Sequence, residues 1–236
     1  MTPAPNNQFS QRFSGEANKT TRRRLLMGAS AFVLSGCTTP PVIENAFNAI
    51  QTLATGGPDI PISPEYVSNL PYASMTAKIG KRPRSLVVLG RYDGPDLHWI
   101  SADRAVLVTR NGRIKATFGV GMDLLDTQGL EDDPVAAATF AFEGVHTRTV
   151  DLADPKKIYG IPIESTFVAI GRETIKILGQ EKDTVRIEEF NSASSIRWKF
   201  KNVFWFDFNS GFLWKSVQHF VRNLPPIETE ILKPAL

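Results

Sequence analysis

The sequence predicts a mainly β protein: one antiparallel domain, folded as a sandwich or a curled barrel, with short helices on its N-terminal side. Three observations lead there. From residue 71 onward, short alternating or apolar segments recur, many of them bounded by Gly, Pro, Asn or Asp. Two of them flank Asn111-Gly112, a dipeptide that favours the type I′ hairpin because both turn residues need positive φ. Helical spacing is confined to the stretch before residue 71. The chain therefore divides into a leader (1–36), a tether with short helices (37–70) and an antiparallel β domain (71–236).

The leader is read from charge and size. Arg22-Arg23-Arg24 precede ten mostly apolar residues, 25–34, and the small residues Ser35 and Gly36 lead into Cys37, the only cysteine. Basic, apolar and small regions in that order make a secretory signal peptide. Ten helical residues span roughly 15 Å, about half a bilayer core, so the run is too short to cross a membrane. Leu34-Ser35-Gly36-Cys37 resembles the lipobox of bacterial lipoproteins. That resemblance implies recognition of Leu34, Ser35 and Gly36 by a signal peptidase, cleavage before Cys37 and acylation of its sulfur. A thiolate is a strong nucleophile for such a transfer, and several acyl chains hold a protein far more firmly than one. The competing reading is a buried structural cysteine after an apolar helix. Thr38 at the next position implies, within lipoproteins, sorting to the outer membrane. Arg22 and Arg23 also fit a twin-arginine export signal, and an ordinary Sec signal fits the same residues.

In the tether, Ile43, Phe47, Ile50 and Leu53 recur at helical spacing, and Gly56-Gly57-Pro58 ends that helix. Ser63-Pro64-Glu65 reads as an N-cap with proline in the first turn of a helix running to Leu70. Met75, Ala77 and Ile79 alternate with polar residues, and 86–89 is a continuous apolar run. In the Asn-Gly hairpin, pairing Arg110 with Arg113 puts Ala105, Leu107, Ile114, Ala116 and Phe118 on a buried face. Val106, Val108, Arg110, Arg113 and Lys115 fall on a partly wet one. Further strands are expected at 136–142, 145–152, 165–170, 174–178, 185–190 and 195–200, with 171–173 and 180–183 as polar turns. The last pair, 202–208 and 212–220, is joined by Asn209-Ser210-Gly211, which suits a type I turn with a G1 bulge. Pro225-Pro226 and Pro234 are expected to end regular structure.

Composition narrows the function. The full chain carries a net charge of +3, but the leader holds five of the 27 basic residues and one of the 24 acids, leaving 22 and 23. The processed chain is thus close to neutral and lacks the basic footprint of a nucleic-acid binder. His98, His146 and His219 are isolated from one another, so neither a metal nor another cofactor is expected. No nucleophile elbow, P-loop or dinucleotide motif is present, so the expectation is a protein that is not an enzyme. Glu131-Asp132-Asp133 reads as a solvated loop, and Asp93 and Asp96 as turn formers.

The final hairpin is aromatic. Pairing Phe208 with Phe212 places Phe204, Phe206, Phe208, Phe212 and Trp214 on one face, read as core in preference to a sugar-stacking groove. Trp205, Asp207, Leu213 and Lys215 fall on the other. Trp205, Asp207, Trp214 and Lys215 are the candidate contacts for a protein partner or a glycan.

Several stretches carry a wider resemblance: Trp99-Ile100-Ser101, Leu107-Val108-Thr109-Arg110-Asn111-Gly112-Arg113-Ile114, Thr117-Phe118-Gly119-Val120 with Asp123-Leu124, and Glu164-Ser165-Thr166-Phe167. Ile175-Lys176-Ile177-Leu178-Gly179, Phe204-Trp205-Phe206-Asp207, Trp214-Lys215-Ser216-Val217-Gln218 and Ile231-Leu232-Lys233-Pro234 continue it. Together they resemble the YjbF/GfcB lipoproteins of capsule and exopolysaccharide gene clusters, over residues 70–234. The resemblance implies a single, strongly curved antiparallel sheet, half-barrel or sandwich-like, with short helices. It also implies a lipid-anchored, periplasm-facing outer-membrane protein that assists polysaccharide secretion beside an outer-membrane β-barrel partner or the polymer itself. The alternative is a periplasmic carrier holding an apolar or lipid-linked ligand in the curved sheet, motivated by the 15 phenylalanines. Replacing Cys37 by Ser is expected to abolish incorporation of labelled palmitate and leave the unprocessed precursor, read on a gel; normal labelling would reject the lipobox.

Overall fold

The computed structural model describes residues 62–137, 143–153 and 156–235. The leader with Arg22, Arg23 and Leu34-Ser35-Gly36-Cys37, the helix expected at 43–53, and most of the strand expected at 136–142 lie outside the described residues. The first described element is helix α1, Pro64–Asn69. The Ser63 hydroxyl accepts the Tyr66 N–H at 3.1 Å, and proline sits where its missing N–H costs nothing.

Twelve strands follow among the described residues: β1 Ser74–Ile79, β2 Ser85–Asp93, β3 Asp96–Ser101, β4 Val106–Arg110, β5 Arg113–Phe118 and β6 Leu124–Gln128. Then come β7 His146–Leu152, β8 Ile158–Ile177, β9 Gln180–Ala193, β10 Trp198–Asp207, β11 Leu213–Gln218 and β12 Ile227–Lys233. They form one antiparallel sheet in the order β5-β4-β3-β2-β1-β12-β11-β10-β9-β8-β7-β6. The sheet curls until its terminal strands, β5 and β6, face each other, and it is nearly closed into a barrel. Side chains bridge that seam: Thr117 Oγ1 donates to Asp123 at 3.0 Å and accepts the Leu124 N–H at 3.0 Å, and Lys115 reaches Asp126 at 2.6 Å.

Curling puts one face of every strand inside. Met75, Trp99, Leu152, Ile163 and Phe220 belong to the larger buried cluster. Val185, Ile187, Phe204 and Phe206 form a second one with Val135. The expected elements recur at α1, β1, β2, β4, β5, β7, β10 and β11, and several boundaries differ for identifiable reasons. Gly171 is a bulge residue at φ 134° inside one continuous 20-residue β8, not a turn. The chain reverses instead at Leu178-Gly179, with φ of 51° and 77°. Residues 180–183, expected to be a turn, begin β9. Strands β3, β6 and β12 were not anticipated. Pro225-Pro226 precede β12 rather than ending the regular structure, and Ile227-Glu228-Thr229-Glu230-Ile231 alternates as a strand should. Ala136 and Ala137 lie in a turn, and 194–196 form a 3₁₀ turn where strand was expected.

Two bulges change which residues face inward. Between Val108 and Thr109 the β4–β5 register shifts, so Thr117 goes inside while Phe118 is 48% exposed. Between Trp205 and Phe206 a second shift pairs Phe206 with Leu213. Leu213 therefore packs with the interior cluster, not beside Lys215. Phe208, expected in the core, is 37% exposed.

The turn between β4 and β5 forms as predicted, with Asn111 at φ 49° and Gly112 at φ 85°. A Cβ on Gly112 would stand 2.3 Å from Leu213 Cδ2, and the left-handed backbone there disfavours any side chain. Gly112→Ala is therefore expected to lower stability by about 1–2 kcal/mol, measured as a drop in the urea midpoint at unchanged m-value.

Candidate functional site

Three strands and one loop place four ionisable side chains inside the barrel. Glu189 of β9 and Arg148 of β7 point inward with their strands, at 0% and 4% exposure. Arg113, at the start of β5, was expected on the wetter face but is also buried, and its guanidinium lies 5.3 Å from the centre of the Phe204 ring. Asp133 comes from the β6–β7 loop. Of the run Glu131-Asp132-Asp133, expected to be solvated, the first two residues are exposed, but Asp133 is buried.

The hydrogen bonds are dense. Arg113 Nη1 and Nη2 donate to the two Glu189 oxygens at 2.7 and 2.9 Å, while its Nε and Nη2 donate to Asp133 at 2.6 and 2.9 Å. Arg148 donates to Glu189 at 2.8 Å, to Ser165 at 2.6 Å and to Asn191 at 2.9 Å. The Asn202 amide fills another Glu189 acceptor site at 2.7 Å, and the Val135 N–H donates to Asp133 at 2.9 Å. Two guanidinium groups thus balance two carboxylates.

Burial alone would push the Glu189 carboxyl up, yet the Arg113 and Arg148 charges outweigh it and hold it well below the usual carboxylate range. Asp133 is likewise pushed up by burial and pulled down further by Arg113. Burial lowers Arg148 to about 10, because it has one carboxylate partner and a like-charged neighbour. Burial acts to lower Arg113 too, but its two carboxylates together outweigh it and raise the value.

The four candidate contact residues fall in two places. Trp205 and Lys215 are cross-strand partners on the outer face, as anticipated. The indole is 8% exposed, donates to Glu173 at 3.1 Å and lies between Arg186 and Lys215 at 5.7 and 5.5 Å. Lys215 is held by Glu228 and Glu230, each at 2.9 Å, and Arg84 joins the same pair. Asp207 and Trp214 serve the β10–β11 turn. Asp207 accepts the Ser210 and Asn209 N–H groups and the Trp214 indole at 2.9, 3.1 and 3.2 Å, which hold its carboxyl below the ordinary range. Lys182 stands 4.3 Å from the Trp214 ring, and Arg172 lies 3.3 Å above Phe208.

Away from these pairs, β8 and β9 form a ribbon whose ladder continues past the last β7–β8 pair, His146–Ser165. Val168, Ile170 and Phe190 stand on its outer side at 45, 53 and 46% exposure. Strands were expected at 165–170 and 185–190, but 167–170 is a continuous apolar run, from which the exposed side cannot be read. The three histidines occupy separate places: His98 contacts Arg91, His219 contacts the Lys201 carbonyl, and His146 lies near the buried charges.

The interior bears on the carrier alternative. Phe204 and Phe206 are buried and fill one part, while Trp214 stays at the rim. The gap beside Arg113 and Arg148 is about 20 Å³, the size of one water. At the opposite mouth a cavity of about 130 Å³, lined by Ala77, Val87, Leu107, Val120 and Ile227, would take a group no larger than about one benzene ring.

An internally salt-bridged, nearly closed antiparallel sheet is the architecture in hand. The chain belongs to the YjbF family, described as "Group 4 capsule polysaccharide lipoprotein gfcB, YjbF", which matches residues 44–232. It is 28% identical over 214 residues to the uncharacterized lipoprotein GfcB of Escherichia coli K12, covering 90% of this chain and 99% of that one. To the uncharacterized lipoprotein YjbF of the same strain it is 27% identical over 190 residues, covering 80% and 88%. The crystal structure of the hypothetical lipoprotein YmcC from Escherichia coli K12 superposes with a TM-score of 0.69 at 28% identity, covering 75% of this chain and 92% of that one. None of these names is that of an enzyme.

Glu189→Gln leaves two buried arginines with one carboxylate, and is expected to cost about 3–5 kcal/mol in urea unfolding. Because the folded pKa values of Glu189 and Asp133 are depressed, their stabilisation is complete above the unfolded value of about 4 and is lost as pH falls below it. The melting temperature should hold from pH 8 to 5 and drop below pH 4, with a shallower acid limb in Glu189→Gln.

Proposed function

We propose that this protein is a lipid-anchored, non-enzymatic accessory of capsule or exopolysaccharide secretion. Its leader, 1–36, is removed, Cys37 is acylated, and Thr38 directs the product to the periplasmic face of the outer membrane. There the β domain contacts an export partner, an outer-membrane β-barrel, or the polymer itself. Family membership supports the pathway. The observation that carries the contact is the exposed strip Val168, Ile170 and Phe190 on the β8–β9 ribbon. Clustered exposed apolar side chains commonly mark interaction surfaces. Trp205 and Lys215 lie further along the same outer face, and their charge pairs would form the polar rim of that contact.

A photo-crosslinking residue at position 170 should capture an outer-membrane protein in intact cells, whereas one at exposed Tyr92 should not. Equal capture at both positions, or at neither, rejects the contact. Ile170→Asp is expected to reduce surface polysaccharide while changing stability by no more than about 0.5 kcal/mol, since it alters an exposed side chain. Intracellular precursor synthesis should be unaffected. Unchanged surface polysaccharide after deletion of the whole gene would reject the accessory role.

A further inference from the structure

Of the four ionisable groups at the barrel centre, Arg113, Arg148 and Glu189 stand on strands, as do Ser165, Asn191 and Asn202 that complete their hydrogen bonds. Asp133 alone arrives on a loop. The first part of that loop, 129–137, is inserted into the barrel: Leu130, Asp133 and Val135 are 2, 3 and 4% exposed. Asp133 meets Arg113 through Nε and Nη2 at 2.6 and 2.9 Å, the forked geometry by which arginine grips any carboxylate or phosphate. Two residues on, Val135 packs into the apolar cluster of Val185, Ile187, Phe204 and Phe206, which is otherwise built from strand residues. The loop thus delivers an anion followed by an apolar group.

Charge defines what else would fit. With Asp133 in place the cluster is neutral, two guanidinium groups against two carboxylates. With Asp133 withdrawn, Arg113 and Arg148 face Glu189 alone, and a buried site with one net positive charge requires an anion. We propose that the barrel interior is a binding site for an amphiphile with a single anionic head, phosphate or carboxylate, and an apolar tail, and that Asp133 and Val135 occupy it as an internal substitute. The head takes the place of the Asp133 carboxylate on Arg113, and the tail takes the place of Val135 against Phe204 and Phe206. No covalent step is involved. The site is separate from the outer strip around Ile170, so its failure leaves the contact proposed there standing.

The test uses the full chain in nonionic detergent at pH 5, where an alkyl phosphate carries about one negative charge, with hexyl phosphate as probe and inorganic phosphate and hexanol as its two halves. Calorimetry should show hexyl phosphate binding to the wild type, phosphate binding more weakly and hexanol not at all. An internal competitor lowers apparent affinity by the fraction of time it vacates the site, so Asp133→Ala should bind hexyl phosphate about tenfold more tightly than the wild type. A residue that only supports the fold would give the reverse, lost stability without a gain in affinity. Should Asp133→Ala fail to fold, Val135→Ser, which loosens the insert and keeps its charge, should show the same direction of change. Absence of binding in both wild type and Val135→Ser overturns the proposal. So does equal binding of hexanol and hexyl phosphate, or unchanged affinity in a folded Asp133→Ala.

Discussion

A carboxylate with no solvent contact stays ionised only if its surroundings replace the water it lost, and Glu189 has that replacement in Arg113, Arg148 and Asn202. Those partners come from β5, β7 and β10, so the one side chain ties together strands from both ends of the sheet. Register depends on it as well. Sliding β9 by two residues would keep its apolar side chains on their proper face, so apolar patterning resists the slip only weakly. It would also put Ile187 or Asn191 where Glu189 stands and leave two buried guanidinium groups without their shared carboxylate.

The outer surface is organised differently. Arg84, Glu228, Glu230 and Lys215 form one half-exposed network, and Arg186, Glu188 and Lys201 form another. Half-exposed pairs of this kind contribute little to stability individually. Glu188 stands opposite Val168 and Lys201 opposite Phe190, so these pairs engage charges that flank the exposed apolar strip on β8 and β9. The setting of that strip is a family described as capsule polysaccharide lipoproteins, of which GfcB and YjbF share 28% and 27% identity with this chain.

Much of the fold was legible in the residues. Asn111-Gly112 and Ser63-Pro64 act through local backbone chemistry, so they specify their turn and cap wherever they occur. The misreadings share one cause: bulges and strand continuation are decided by partners far away in sequence. Gly171 looks like a turn until Arg186 is set opposite it, and Phe118 looks buried until the shift at Val108 is known. The internal charges were the least legible. Glu189 follows Val185 and Ile187 on the same side of its strand, which was a usable signal, but nothing local says that two arginines wait opposite. Asp133 lay in an acidic run of the kind that is nearly always wet.

The seam between β5 and β6 has a mechanical consequence. A tube closed all round by backbone ladders resists twisting as a whole, but one slit along its length and fastened by a few side chains behaves as a split ring. Here the fastenings are Thr117 with Asp123 and Lys115 with Asp126. The loop that carries Asp133 leaves β6 at the edge of that slit. Strain applied to the rim is thus expressed first as a change in the width of the gap, while every backbone ladder in the sheet stays intact.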